Sequence, residues 1–432
     1  MPWRRLLSPL LLLFALTPGL TAPALAEPFT ESKLQELLQK NPQTGAPVDS
    51  ISELIALLPQ ELRANFTFVY DSRSPFHSGI SPEYPRVILF TNDARLVLTF
   101  IGDERQPGYD LLETMSFDYE SAKFELHAYM LPAAERRAWR PSPAEAQCSR
   151  CHGADARPIF DSYPLWPGYY GSVQDTFPHD RIGQKEARNF AAFQANAAKT
   201  GVYKDLIYPS GTPVSPYLDP RFFRDNTVTL DPKLFAYLPN ARLGIALTEL
   251  NRQRIYRKLA AGDGFAANEK RILSTLLECR PAERPDRGSL RAIADALRIE
   301  NADRLKRLGL LPGEAYKPRD DMQELEFARE LAEIDGVTKI AGVDRSDWSM
   351  AMEKSSLAFF DGILSGISNG HSYYLKEDLI FEILEHLRDR EPAFRKYFAW
   401  SNVFEDYGYP FGHRVDLGKA AQSCALLGDG RV

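Results

Sequence analysis

Two thiols and an imidazole stand close together in the run Cys148-Ser149-Arg150-Cys151-His152. Thiols two residues apart can oxidise to a disulfide, bind a metal as thiolates, or add across the two vinyl groups of a porphyrin. A histidine directly after the second cysteine favours the third chemistry. Two intervening residues on a turn of helix let the sulfurs span the ring edge, and the next side chain then points at the iron. With four Cys and seven His in 432 residues, chance produces this arrangement in roughly one chain in a thousand. A thioredoxin-type redox pair wants a strand–helix setting that the flanking sequence lacks. A zinc site wants a second Cys or His pair, and the chain has no second C-x-x-C. A plain disulfide stays open.

Gly153 follows the histidine, so the segment resembles the C-x-x-C-H-G of c-type cytochromes. That resemblance implies one covalent haem c, with Cys148 and Cys151 as thioether positions and His152 as the proximal iron ligand. The stretch from His152 through Trp166-Pro167-Gly168 is similar to that of large bacterial proteins that carry a single such motif. Small cytochromes c place an axial Met some tens of residues downstream, and here no Met lies between Cys151 and Met322. Candidates for the second axial position are His371 in Asn369-Gly370-His371, His179, and the pair Met350 and Met352; an empty position is the alternative. His77, His127, His386 and His413 read as ordinary loop, strand and helix residues. Arg150, Arg157, Trp166, Tyr169 and Tyr170 are candidate donors to haem propionates, since buried carboxylates need such partners. Loop packing is the competing role for each.

The elements that must position these residues can be traced along the chain. Residues 1–26 read as a secretory signal peptide: Arg4 and Arg5, an apolar run from Leu6 to Leu16, and Ala24-Leu25-Ala26 as the cleavage site. Residues 27–131 begin with two short helices, one capped by Thr30 or Ser32 and one over 51–58. They continue with period-two patterning (Phe66, Phe68, Tyr70; Val87, Leu89; Leu96, Leu98, Phe100; Phe124, Leu126, Ala128, Met130) that predicts an antiparallel sheet of four or five strands. Turns are expected at Thr91-Asn92-Asp93 and at Asp118 to Ser121. Residues 132–182 hold the Cys pair and a run too rich in proline and aromatics for a regular helix, which reads as an ordered loop. Residues 183–432 read as mainly helical, with helices over 185–198, 247–261, 266–278, 289–297, 322–334, 348–364 and 375–388. The fold class is therefore α+β: a small antiparallel sheet, a haem-bearing loop, then a mainly α-helical C-terminal region.

Charge and cysteine count bound the function. The formal net charge is −6, and loss of Arg4 and Arg5 with the leader makes it more negative, which argues against nucleic acid. No stretch after the leader is long and apolar enough to span a membrane. An exported chain meets an oxidising compartment, where Cys279 and Cys424 either pair or remain two buried thiols. The expectation is a periplasmic single-haem protein of c type that carries electrons to or from a redox partner protein. The alternative is a five-coordinate haem that works as a peroxidase-like enzyme or a sensor of small ligands.

Overall fold

The computed structural model describes residues 28–70, 79–130, 140–142, 148–149, 152, 155–158, 170, 181–208, 237–279, 286–296, 321–343, 375–397, 404–406, 413–415 and 424–427. The signal peptide expected over residues 1–26 falls outside the described residues.

Three short helices open the chain: α1 (Glu31–Gln39), α2 (Ile51–Leu57) and α3 (Gln60–Ala64). Thr30 caps α1 by accepting from the Lys33 amide, and Ser50 caps α2 by accepting from Glu53, so each helix starts where an orphan N–H finds a side-chain oxygen. Six strands follow: β1 (Phe66–Val69), β2 (Arg86–Phe90), β3 (Leu96–Ile101), β4 (Leu111–Asp118), β5 (Lys123–Met130) and β6 (Arg140–Pro141). Each pairs antiparallel with the next in a simple meander. The expected turn at Thr91 closes through two main-chain bonds, Thr91 N to Leu96 O at 3.0 Å and Ala94 N to Thr91 O at 2.8 Å. The turn between β4 and β5 is held by Asp118, whose carboxylate accepts the Ser121 hydroxyl at 2.7 Å and the Glu120 amide at 2.9 Å. The sixth strand, two residues long, was outside the expected count. Its proline stands at the sheet edge, where a missing N–H costs least.

Period-two alternation ordinarily marks a strand with one buried face. Instead both faces are covered, and β1 and β3 are buried at every position. On the first face Phe66, Phe68, Val87, Leu89, Leu98 and Phe100 meet Leu34, Leu38, Leu54 and Ile55 of the opening helices. The same core takes Phe190 and Phe193 of α4 (Arg181–Ala195) and Val202 and Tyr203 just beyond it. On the second face Val69, Ile88, Phe90, Val97, Met115, Phe117 and Phe124 meet Leu243, Leu247 and Leu250 of α5 (Tyr237–Ala260). A continuous apolar run such as Val87-Ile88-Leu89-Phe90 is what a strand buried on both sides requires.

The C-terminal half of α5 enters a second core. Ile255 and Leu259 pack there with α6 (Phe265–Leu276), α7 (Asp321–Ala341), α8 (Leu375–Arg390) and α9 (Pro392–Tyr397). Residues 287–296 are helical as well. The turn between α5 and α6 lies against the end of α7, where the Gly264 amide donates to Ala341 O at 2.9 Å. A Cβ on Gly262 would overlap that carbonyl, so the helix stop is also a close packing point. Cys279 and Cys424 form a disulfide within this core, which resolves the two options left by the sequence. A hairpin of β7 (Phe404–Asp406) and β8 (His413–Val415) interrupts the helical region, and it places His413 in a strand rather than a loop. The chain is therefore α+β. Among the described residues no helix is long and apolar enough to cross a membrane.

Candidate cofactor-attachment site

Cys148, Ser149 and His152 are helical, with Cys148 and His152 half-buried and Ser149 exposed. Cys151 lies outside the described residues. The chain then turns back on itself. The Arg157 amide donates to the His152 carbonyl at 3.2 Å, and His152 Nδ1 bonds the Arg157 carbonyl at 2.7 Å. The loop from His152 to Arg157 is thus closed twice at its neck, once through the backbone and once through the imidazole.

A carbonyl oxygen only accepts, so Nδ1 carries the proton and Nε2 keeps its lone pair. Nε2 makes no hydrogen bond to the described residues. Burial pulls the His152 pKa down to about 4, the Arg157 and Arg86 charges add to that, and the bond to the Arg157 carbonyl and the charge of Glu113 oppose it. The ring is neutral at ordinary pH.

The loop sits over the second face of the sheet. Ala156 packs on the core shared by β2–β5 and α5. Beside His152 that face carries a polar strip across three strands: Arg86 on β2 bonds Thr99 on β3 and pairs with Glu113 on β4 at 3.1 Å. Burial lowers the Arg86 pKa, and Glu113 partly restores it. Arg157, proposed from sequence as a cofactor contact, has its whole side chain buried at 1% exposure next to His152.

A second ionic contact holds the loop from the helical side. Asp155 pairs with Arg254 and, at 2.7 Å, with Lys258. Arg254 is only 1% exposed, and its Nε donates to Asn251 Oδ1 at 3.0 Å. Burial lowers its pKa and the Asp155 charge pushes back. Nothing in the sequence reading singled out this pair. The signal was present: Arg254 stands seven residues after Leu247, on the stripe of α5 that should be apolar.

Tyr170 turns out to belong elsewhere. Its hydroxyl donates to Pro82 O at 2.5 Å and its ring packs on Tyr70 and Phe190, in the core of the opposite sheet face. His127 approaches Glu125 at 3.8 Å, and His386 stacks on Tyr256 at 4.4 Å. Trp166, His371, His179, Met350, Met352, Arg150 and Tyr169 lie outside the described residues. Two methionines upstream of the motif share the sheet face of Glu113: Met115, two residues along β4, and Met130, two registers along β5. A search confined to the downstream chain passes over both. Among the described residues no group of three or more His, Cys, Asp or Glu is arranged to hold a metal ion.

No family model matches the chain, and no curated protein or solved structure is similar to it.

Proposed function

We propose that this chain is a periplasmic haem protein of c type, holding one haem through Cys148 and Cys151 with His152 as proximal ligand, and that it carries electrons to and from a partner protein. The observation that supports this most is the bond from His152 Nδ1 to the Arg157 carbonyl. An axial histidine has to present a neutral ring with one bare nitrogen, and a backbone acceptor on the other nitrogen sets that tautomer and raises the ligand's basicity. The donor set fits the group in a second respect. Cys148 lies four residues, about one helical turn, before His152 and is half-buried on the same segment, as attachment at a ring edge needs.

Bound haem would supply a one-electron couple. The residues of the chain do the rest. Cys148 and Cys151 supply the thioether sulfurs, and His152 supplies Nε2. Arg157 brings a buried positive charge beside the ligand, which favours the reduced state over the oxidised one and accepts anionic groups. The Cys279–Cys424 disulfide agrees with export, because such bonds persist in the periplasm and are rare in the cytosol.

Haem staining of a denaturing gel tests attachment. The parent band should stain and the Cys148→Ser, Cys151→Ser variant should not; equal staining refutes the site. Electron carriage predicts a six-coordinate low-spin spectrum in both oxidation states. A high-spin ferric spectrum that changes on adding peroxide would replace the carrier role with the peroxidase-like one.

A further inference from the structure

His152 and Arg157 are tied to each other by two bonds, one through the backbone and one through the imidazole, so a shift of Arg157 is passed to the His152 ring. Asp155 lies in the loop between them. That carboxylate leaves the loop and reaches α5, where two cations one helical turn apart, Arg254 and Lys258, both bond it. Arg254 is fixed in its turn. Its Nε is held by Asn251, one turn earlier on the same helix, while Nη1 meets Asp155, so the two arms of the guanidinium plane are set independently. Ala156, the next residue, packs on the core that α5 shares with the sheet. Shifting the loop would strip a fully buried guanidinium of its carboxylate, which is among the costlier contacts to break.

We propose that Arg254 is a positioning residue for His152: by fixing Asp155 on α5 it sets the direction in which Nε2 is presented. This rests on the reading of His152 as the axial ligand. Among the described residues Arg254 bonds neither Cys148 nor the imidazole; it acts through the closed loop. The helix that carries it also enters the disulfide-closed core, so the ligand's orientation is set by an element anchored in two cores at once.

The test uses the full-length haem-bearing protein with R254Q, D155N, the double variant, and K258Q, which removes the more exposed of the two cations on Asp155. Hydrogen exchange read by mass spectrometry over residues 148–158 should quicken by about tenfold or more in R254Q and in D155N. The double variant should be no worse than the worse single one, since both remove one interaction. K258Q should change little, and peptides of β2 and β3 should exchange as in the parent. The same R254Q and D155N proteins should show a shifted haem reduction potential and altered ferric low-spin resonance signals, which loosening of a remote loop would not produce. If R254Q folds poorly, the isosteric D155N carries the test alone. Unchanged exchange over 148–158 overturns the proposal. So does faster exchange with potential and resonance signals equal to the parent, because Arg254 is then merely structural. A parent that holds no covalent haem overturns the ligand reading itself, and this proposal with it; in a parent that does hold it, a negative exchange result removes the positioning role alone.

Discussion

Replacing Cys279 and Cys424 together by serine should cost more stability than any other exchange of two side chains in the helical core. The two residues are 145 apart in sequence and are buried among Leu273, Leu276 and Leu384. Closing a loop of that length removes conformational freedom from the unfolded chain worth about 5 kcal/mol by the chain-entropy relation, at the upper end of the 2–5 kcal/mol usually lost with a native disulfide. Two buried sulfurs exchanged for hydroxyls add to the loss. The variant should be compared with the parent by urea unfolding, following helix content by circular dichroism and the sheet by tryptophan-independent hydrogen exchange. The helical core should melt first, because the tie lies inside it and the sheet keeps its own two cores. Thiol alkylation of the native parent should leave Cys279 and Cys424 unlabelled until reductant is added. A loss below about 1 kcal/mol, or ready alkylation of Cys279 in the oxidised parent, would refute the reasoning.

Other perturbations test other joints. Leu247→Ala empties a fully buried position between α5 and the sheet, so it should cost about 2–5 kcal/mol by urea unfolding. Gly262→Ala drives a methyl into the Ala341 carbonyl; a loss of about 1–3 kcal/mol with faster exchange at the α5–α6 turn is expected, and a neutral result would mean that the turn can yield. The Asp103 carboxyl is held below the ordinary carboxylate range first by its hydrogen bond to Arg105, at 2.7 Å, against the opposing effect of burial. A depressed folded pKa means its contribution is full above the unfolded value and fades as pH falls through the lower folded one. The difference in stability between the parent and Asp103→Asn should therefore be largest near neutrality and shrink in acid; a constant difference from pH 7 to about pH 2 would contradict it.

Much of the sheet was legible because turn chemistry and apolar patterning agree there. Thr91 and Asp118 close their turns with their own side chains, a local effect that needs no distant partner. What patterning missed was the second covered face, because the helix that covers it comes more than a hundred residues later in sequence. Helix ends went astray for backbone reasons. The helix expected from residue 247 begins at Tyr237, since Pro239 falls in its first turn, where a missing N–H costs nothing. The helix expected to stop near residue 334 runs on to Ala341 through Gly336, a residue that weakens a helix without ending it. At the candidate site the motif announced Cys148 and His152 because their spacing is local. The Asp155–Arg254 contact bridges 99 residues, and no local rule reaches that far. Arg157 was picked for its charge; its burial was not foreseeable from neighbours in sequence.

The place of α5 in the chain has a consequence for biogenesis. Chains are made from the N-terminus, so the sheet and the segment of Cys148 and His152 emerge before the helix that covers one face of that sheet and pairs with Asp155. Until Leu243, Leu247 and Leu250 arrive, one whole side of the sheet stands open, and Asp155 has no cation to hold it. A fragment cut anywhere before residue 237 would keep that open side for good, and should be recovered from cells as an aggregate.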